Sequence, residues 1–256
     1  MSEPDFAAWT EALLPVVEAA GQAILEVQRG EFAINAKADA SPVTIADQRS
    51  EAIVLAALEQ LTPRFPIVAE ERVAAEGLPD FDGEDFWLVD ALDGTREFIQ
   101  KRNDFTVNIG LIRNGAPVFG IVHPPARGDT YVGIVPTQTA LHYRDGTATR
   151  IQARPRPARV TVVGSKSHEI PEEMNAFLAK YDVAERVSVG SSLKFCLVAK
   201  GEADLYPRFG PTSEWDTAAG DAVVRAAGGS VRSFDGAPLR YKKPKFLNVP
   251  FLVEGA

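Results

Sequence analysis

Four groups of acidic residues stand at positions where a carboxylate can do more than keep a protein soluble. They are Asp47, Glu70-Glu71, Asp90-Ala91-Leu92-Asp93-Gly94-Thr95 and Trp215-Asp216-Thr217-Ala218-Ala219-Gly220. Taken alone, each group also fits a helix cap, a tight turn or a solvated strand end. Glu70 and Asp90, however, directly follow apolar runs, and a carboxylate leaving a buried strand is costly unless it is paired, hydrogen-bonded or bound to metal.

The segment from Asp90 to Thr95 has the chemistry of a divalent-cation loop. Mg²⁺ takes oxygen ligands and is commonly shared between one or two carboxylates and phosphate oxygens. Asp90 and Asp93 are separated by a turn and can point at one place, and Asp90 is best placed to bridge two ions roughly 3.5–4 Å apart. The Leu92 carbonyl can add a neutral ligand. Gly94 and Thr95 offer backbone N–H groups and a hydroxyl to a phosphate.

The second half of the chain carries residues suited to a further anionic group. Gly190-Ser191-Ser192 precedes a predicted helix and offers an anion site, to which Lys194 and Arg208 add positive charge. His168 follows a predicted strand, at an edge where ligands of α/β proteins bind. A capped helix with two solvated cations and a surface histidine are the alternatives at these positions.

Composition limits the classes of protein. The 256 residues are 45% hydrophobic, which is ordinary for a globular protein of one large or two modest domains. The net charge of −8 argues against a non-specific binder of nucleic acid or anionic membrane. The single cysteine, Cys196, excludes an intramolecular disulfide, and the acidic residues at the start of the sequence predict neither a signal peptide nor a transmembrane segment. We therefore expect a cytoplasmic protein, with peripheral association at the inner membrane left open.

Periodicity predicts an α+β first half. Apolar spacings of three and four predict a helix over 6–27, and a capping box at Thr44 predicts another through Leu58, with a loop over 35–43 between them. Strands are expected over 66–69, 86–89, 105–112, 117–122 and 131–135. Asn114-Gly115 is a hairpin signal, so the strands should form a largely antiparallel sheet covered by the two helices.

The second half alternates strand and helix, which predicts an α/β arrangement. Strands are expected over 159–163, 186–189 and 204–206, and helices over 172–181, 193–200 and 216–227. Pro155 and Pro157 mark the best candidate for a junction. The domains are therefore predicted as 1–155, an α+β unit with most of the metal ligands, and 156–256, an α/β unit with Asp216 and the nucleotide contacts.

Three of these acidic groups, Glu70-Glu71, the loop from Asp90 to Thr95 and the segment from Trp215 to Gly220, resemble the three signatures of the inositol monophosphatase superfamily of Mg²⁺-dependent phosphatases. Further segments resemble its 3'(2'),5'-bisphosphate nucleotidases of the CysQ type; they are 37–44, 190–196 and 205–212. The resemblance covers nearly the whole chain. It implies a layered αβαβα sandwich of the inositol monophosphatase/sugar phosphatase type, two or three Mg²⁺ ions, and a small bisphosphate nucleotide as substrate. The reaction implied is removal of the 3'-phosphate from 3'-phosphoadenosine 5'-phosphate to give AMP, and likewise from its phosphosulfate analogue.

The resemblance also implies roles for individual residues. Glu70, Asp90 and the Leu92 carbonyl hold one metal, and Asp90, Asp93 and Asp216 hold a second. Asp47, Glu70 and Thr95 are the catalytic residues, with Asp47 and Thr95 orienting the attacking water. The substrate-binding residues implied are Gly94, Thr95, His168, Ser191, Lys194, Arg208 and Asp216.

Two departures and two alternatives accompany the resemblance. Ala91 stands where the family usually has proline, and Asp221 stands where close relatives often have a neutral residue or histidine. An inositol or other sugar-phosphate phosphatase would have the same metal loops, although it would not need Lys194, Arg208 and His168. A nucleotide-binding or metal-binding protein without turnover is the other alternative, and a monomer and a homodimer both fit the sequence.

Overall fold

The computed structural model describes residues 5–30, 34–36, 42–165 and 170–256, and seven α-helices lie within these ranges. The helices are α1 (Phe6–Arg29), α2 (Ile45–Leu61), α3 (Glu70–Glu76), α4 (Thr95–Ile99), α5 (Pro171–Leu178), α6 (Leu193–Ala199) and α7 (Ala218–Ala226). Helix α1 is amphipathic, since its buried residues Leu13, Val17, Ala20 and Ile24 recur at spacings of three and four. This face packs with α2 on one side of the larger sheet.

The described strands form three sheets. The strands are β1 (Ile34–Ala36), β2 (Pro42–Thr44), β3 (Ile67–Ala69), β4 (Asp85–Asp93), β5 (Thr106–Arg113), β6 (Ala116–His123), β7 (Asp129–Ile134), β8 (Thr139–Arg144), β9 (Thr147–Arg150), β10 (Arg159–Gly164), β11 (Asp182–Ser188), β12 (Leu205–Arg208), β13 (Ser230–Ser233) and β14 (Phe251–Glu254). The seven-stranded sheet has the order β3-β4-β5-β6-β7-β8-β9, and the five-stranded sheet has the order β11-β10-β12-β14-β13. The larger sheet is antiparallel except at the parallel pair β3–β4, as the hairpin pattern predicts.

A row of glycines lets α7 lie directly on the larger sheet. Gly110, Gly120 and Gly133 are opposite one another on β5, β6 and β7. A Cβ on Gly120 would stand 2.4 Å from the Ala219 carbonyl oxygen, and one on Gly133 would stand 2.5 Å from the Val223 Cα. Glycine in a strand interior is expected where another backbone approaches this closely. The row therefore fixes the height of α7, and of the segment that leads into it, above the sheet.

The two large sheets share their middle layer. Helices α6 and α7 pack between them, with α7 on β5–β7 and on β13, and α6 on β10, β12 and β14. On the far side of the smaller sheet, Phe177 of α5 packs with Val160, Val162 and Leu205. The layers thus run α1/α2, sheet, α6/α7, sheet, α5, which confirms the αβαβα sandwich. Since the middle helices contact both sheets, the division at 155/156 stays a prediction.

Some boundaries differ from the sequence expectations. The predicted loop 35–43 contributes the antiparallel pair β1–β2, with 37–41 outside the described residues. Three-residue strands are too short to show periodicity, so only pairing reveals them. Glu70 opens the short helix α3, and α7 begins two residues after Asp216. Among the described helices, none combines the length and apolar character that a membrane crossing requires.

Candidate active site

A β-bulge explains how Asp90 and Asp93, three residues apart, face the same way. In the β4–β5 pair, Asp90 is opposite Asn108 and Asp93 is opposite Thr106, so two residues of β4 oppose one of β5. Ala91 and Leu92 both join the core beneath α1 and α2. Directly opposed residues share a face, so the bulge returns Asp93 to the face of Asp90, towards the middle layer.

Three carboxylates from different elements meet on that face. One oxygen each of Glu70, Asp90 and Asp216 lies within 4.8 Å of the others. Glu70 stands at the start of α3 after the buried strand β3, and Asp90 is 3% exposed near the end of β4. The Asp90 carboxylate accepts a hydrogen bond of 3.0 Å from the Leu92 N–H. The cluster therefore joins the two halves of the chain at one point.

Asp216 reaches the cluster from the segment that precedes α7. The Ser213 N–H donates to its Oδ2 at 2.8 Å, which fixes the carboxylate in a turn. Burial, followed by the charges of Asp93 and Glu70, holds the pKa of Asp216 well above its usual range. Such crowding of buried acidic groups is relieved by a bound cation.

Asp93 is held by a polar network that neither half could form alone. Its Oδ2 accepts hydrogen bonds from the Ser192 N–H at 2.7 Å and from the Ser191 hydroxyl at 2.9 Å. The Ser192 hydroxyl donates to Asn108 Oδ1 at 2.7 Å, and Thr106 contacts both serine hydroxyls. Burial raises the pKa of Asp93, while Lys194 and these hydrogen bonds oppose the rise. Asp93 lies in the same cavity as the three clustered carboxylates but is not one of them.

Asp47 and Thr95, the two residues expected to orient the attacking water, are joined by a hydrogen bond. Asp47 is 2% exposed on the first turn of α2, and its Oδ2 accepts the Thr44 N–H and hydroxyl, each at 2.8 Å. Its Oδ1 accepts the Thr95 hydroxyl at 3.1 Å. That hydroxyl also lies 3.3 Å from the Leu92 carbonyl oxygen. Thr95 lines the cavity, and its hydroxyl connects Asp47 to the cavity.

Gly94 makes the sharp turn between Asp93 and Thr95. Its φ is +95°, in the left-handed region that favours glycine, and a Cβ would stand 3.1 Å from the Asp104 carbonyl oxygen. Ala91, the departure from the usual proline, is 3% exposed, and its carbonyl accepts the Ser50 hydroxyl at 2.7 Å. The aspartate-rich loop is thus tied to α2 without proline.

Two buried cations lie in the same cavity. The Lys194 ammonium, 4% exposed, donates to the Ser191 and Val189 carbonyls and lies 5.3 Å from the Tyr206 ring centroid. Burial lowers its pKa to about 8, against the opposing effect of Asp93. Arg208, 8% exposed, donates to the carbonyls of Gly210 and Pro211 at 3.1 and 3.0 Å. Within the described part of the chain, neither cation forms a salt bridge with a carboxylate.

One cavity of about 590 Å³ collects these groups. The predicted site residues that line it are Glu70, Asp90, Leu92, Asp93, Gly94, Thr95, Ser191, Lys194, Arg208 and Asp216. His168 lies outside the described residues. Asp221 is not part of the cavity: it is fully buried, pairs with Arg225 at 2.6 Å and accepts the Tyr241 hydroxyl. The extra aspartate of the sequence therefore belongs to a core ion pair.

The sequence reasoning missed the residues that hold the carboxylates. Thr106 and Asn108 are fully buried polar residues on β5, and Ser192 is 2% exposed. Buried polar side chains are normally hydrogen-bonded, so threonine and asparagine at alternate positions of an otherwise apolar strand are a usable signal. The bulge and the loop that brings Ser192 to Asp93 leave no such mark in the sequence.

The fold and the carboxylate cavity together define a class. The profile of the Inositol monophosphatase family matches residues 5–251, and the chain belongs to that family. Among characterised proteins, the 3'(2'),5'-bisphosphate nucleotidase CysQ of Escherichia coli K12 is 42% identical over 238 residues, which cover 91% of this chain and 94% of the relative. The same-named protein of Salmonella typhimurium is 42% identical, with coverage of 95% and 98%.

Solved structures show the same relationship. The crystal structure of CysQ from Bacteroides thetaiotaomicron, a bacterial member of the inositol monophosphatase family, is 35% identical with a TM-score of 0.82 and covers 98% of each chain. An inositol monophosphatase from Anabaena is 25% identical with a TM-score of 0.75, covering 98% of this chain and 92% of its own. The family is metal-dependent, and the chain offers an acidic cluster that can bind metal.

Proposed function

We propose that this chain is a Mg²⁺-dependent 3'(2'),5'-bisphosphate nucleotidase that converts 3'-phosphoadenosine 5'-phosphate to AMP and accepts the phosphosulfate analogue. The observation that carries the proposal is a single cavity that contains both a three-carboxylate cluster and two buried cations that form no salt bridge among the described residues. A substrate with two phosphate groups satisfies both. The identity to CysQ nucleotidases supports the same substrate class.

The donor set fits a hard divalent cation. It consists of carboxylate oxygens, the ligand type that Mg²⁺ prefers. Glu70, Asp90 and the Leu92 carbonyl would hold one ion, and Asp90, Asp93 and Asp216 would hold a second. The proximity of Glu70, Asp90 and Asp216 supports this assignment, and two or three ions are proposed in all. When bound, Mg²⁺ neutralises charge on the phosphoryl group and acidifies water.

Asp47 and Thr95 are proposed to orient the attacking water. Because the Thr95 hydroxyl donates to Asp47, its oxygen can accept a hydrogen bond from a water in the cavity. Asp47, fixed by Thr44, can then take a proton through Thr95. Glu70 lines the same cavity and is the second candidate base. The scheme transfers the phosphoryl group directly to water and uses no covalent enzyme intermediate.

Ser191, Lys194 and Arg208 are proposed to bind the 5' side of the nucleotide. Lys194 and Arg208 supply charge that the described residues do not neutralise by salt bridges, and charge-assisted hydrogen bonds to phosphate are the strong ones. Gly94 and Asp216 complete the contacts proposed for the 3' side. His168 keeps its proposed role as a nucleotide contact on the sequence resemblance alone.

Phosphate release tests the proposal. With Mg²⁺, 3'-phosphoadenosine 5'-phosphate should be hydrolysed in strong preference to inositol 1-phosphate at equal concentration, and EDTA should abolish the activity. Preference for inositol 1-phosphate would keep the metal site and overturn the nucleotide assignment. Release from neither substrate would favour a binding protein without turnover. We also propose a cytoplasmic location, with or without peripheral membrane attachment, which cell fractionation tests. Light scattering distinguishes a monomer from a homodimer.

A further inference from the structure

Glu51 is a buried carboxylate outside the predicted set of site residues. It is on α2, one helical turn after Asp47, and is 5% exposed. Residues four apart lie on the same face of a helix. The face of α2 that presents Asp47 to Thr95 therefore also presents Glu51, towards α3.

Both carboxylate oxygens of Glu51 are used at the start of α3. Oε2 accepts the Glu71 N–H and Oε1 accepts the Arg72 N–H, each at 2.8 Å. In the described part of the chain Glu51 has no ion pair. Arg72, whose peptide N–H binds Glu51, directs its guanidinium to Glu59 at 2.8 Å instead. Each Glu51 carboxylate oxygen therefore binds one of two consecutive peptide N–H groups.

These two peptide groups follow Glu70 directly. The residue before α3, Ala69, provides no side-chain cap, and the first N–H groups of a helix need partners from outside it. Glu51 supplies them from another helix. Fixing the N–H groups of residues 71 and 72 fixes the peptide plane that leaves Glu70, and so limits the directions that the Glu70 Cα–Cβ bond can take.

The choice of glutamate also has an electrostatic consequence. Burial raises the pKa of Glu51, and the nearby Glu70 charge adds to the rise, while the two peptide N–H groups oppose it. A serine or asparagine would cap the helix without placing a second carboxylate behind Glu70. An ionised carboxylate at this position adds negative potential where a cation is to bind.

We propose that Glu51 is a positioning residue for the metal site: by clamping the first turn of α3 it holds Glu70 in ligating geometry. The inference rests on the proposed metal-dependent function. Outer groups that orient metal ligands typically change metal affinity 10–100-fold when they are removed. Glu51→Gln keeps the size of the side chain, removes its charge and sets an amide NH₂ against a peptide N–H.

The test is calorimetric titration of Mg²⁺ into the substrate-free protein. For Glu51→Gln we expect the dissociation constant to rise about 10-fold or more. The Mg²⁺ concentration for half-maximal turnover should rise in parallel, with excess Mg²⁺ restoring most of the activity.

Two matched variants serve as controls. Glu59→Gln removes the exposed α2–α3 ion pair and leaves the clamp intact. Val54→Ala weakens α2 in a buried core cluster that contains no α3 residue.

Mg²⁺ affinity within about twofold of wild type in Glu51→Gln would overturn the inference. So would an equal loss of affinity in Val54→Ala, because the effect would then follow stability rather than the clamp. A wild-type protein that binds no Mg²⁺ would overturn the metal-dependent function and the inference with it. A wild-type protein whose Mg²⁺ affinity depends on Glu51 but which hydrolyses no bisphosphate would overturn only the proposed substrate.

Discussion

Asp90, Asp93 and Asp216 each accept a hydrogen bond from a peptide N–H close to the site. The donors are Leu92, Ser192 and Ser213, at 3.0, 2.7 and 2.8 Å. A neutral donor orients a carboxylate without cancelling its charge, so the charge stays available to a cation. This arrangement stores electrostatic repulsion in the metal-free protein. Removing one of the carboxylate charges should therefore change the stability of the metal-free protein as well as the rate of turnover.

Asp90→Asn should lower kcat by about 10³-fold or more, because the central carboxylate of the cluster loses its charge while keeping its shape. Phosphate release with saturating Mg²⁺ measures the loss. In EDTA, the variant should melt at or above the wild-type temperature, since one of the crowded charges is gone. Near-normal turnover would contradict the metal assignment, and a lower melting temperature in EDTA would point to misfolding instead.

Lys194→Met should raise KM for a nucleotide bisphosphate by roughly 10–100-fold, the cost of a lost hydrogen bond between charged groups. A nucleoside 3'-monophosphate should be affected much less, because it lacks the 5' phosphate that Lys194 is proposed to bind. Methionine preserves the buried length of the side chain. Lys200→Met makes the same charge change outside the cavity and should leave both substrates unaffected. Equal losses on both substrates in Lys194→Met would refute the assignment.

At the scale of elements, the placement of Asp216 depends on how closely α7 approaches the sheet. Gly120→Ala should destabilise the protein by about 1–3 kcal/mol, since its Cβ would stand 2.4 Å from the Ala219 carbonyl oxygen and overpack the interface. The displaced helix should also weaken Mg²⁺ binding. Urea unfolding and Mg²⁺ titration measure the two effects. Gly83→Ala is the control, because its added Cβ meets nothing closer than 3.8 Å. Unchanged stability in Gly120→Ala would mean that the sheet and helix separate easily.

The β6–β7 pair contains a titratable group that links stability to pH. His123 is 6% exposed, its Nδ1 lies 2.9 Å from the Thr130 hydroxyl, and burial lowers its pKa to about 4. Between about pH 6.5 and pH 4 the unfolded chain binds a proton that the folded protein does not, so this contribution to stability falls as the pH falls.

His123→Gln tests this link. Wild type should lose about 2 kcal/mol more stability between pH 7 and pH 5 than the variant, from 1.36 kcal/mol per pH unit below an unfolded pKa near 6.5. Urea unfolding at the two pH values gives the difference for each protein. Glutamine keeps a polar group near Thr130. Identical pH dependence in the two proteins would show that His123 titrates normally.

At the scale of the whole molecule, the carboxylate cluster joins distant parts of the chain. Glu70 and Asp90 come from the first half and Asp216 from the second, so a cation bound there acts as a cross-link. Mg²⁺ at 100 times its dissociation constant should raise the free energy of unfolding by about 2.7 kcal/mol over the EDTA state. Thermal melts with and without Mg²⁺ measure this. Asp216→Asn should lose most of the increase, and an unchanged increase in that variant would place the ion elsewhere.

Much of this architecture can be predicted from local sequence. The spacings of α1, the capping box of α2, the Asn114-Gly115 hairpin and the antiparallel order of β5–β7 follow from periodicity and turn chemistry, which depend on near neighbours. Strands β8, β9, β13 and β14 and the short helices α3 and α4 were missed. These elements are short. Strands β8 and β9 form local hairpins but bury only Ala140, so they lack an apolar pattern. Strands β13 and β14 are defined by pairing across long intervening segments.

The sequence by itself determined the chemistry of this protein: which residues bear carboxylates and cations, and that two of the carboxylates, Glu70 and Asp90, follow apolar runs. It did so because residue type and local spacing set ligand type and strand ends. Only the tertiary structure decided which side chains meet. The bulge at Ala91-Leu92, the glycine row beneath α7 and the clamp from Glu51 to α3 are contacts between segments far apart in the chain. Such contacts arise from packing, so no local sequence pattern predicts them.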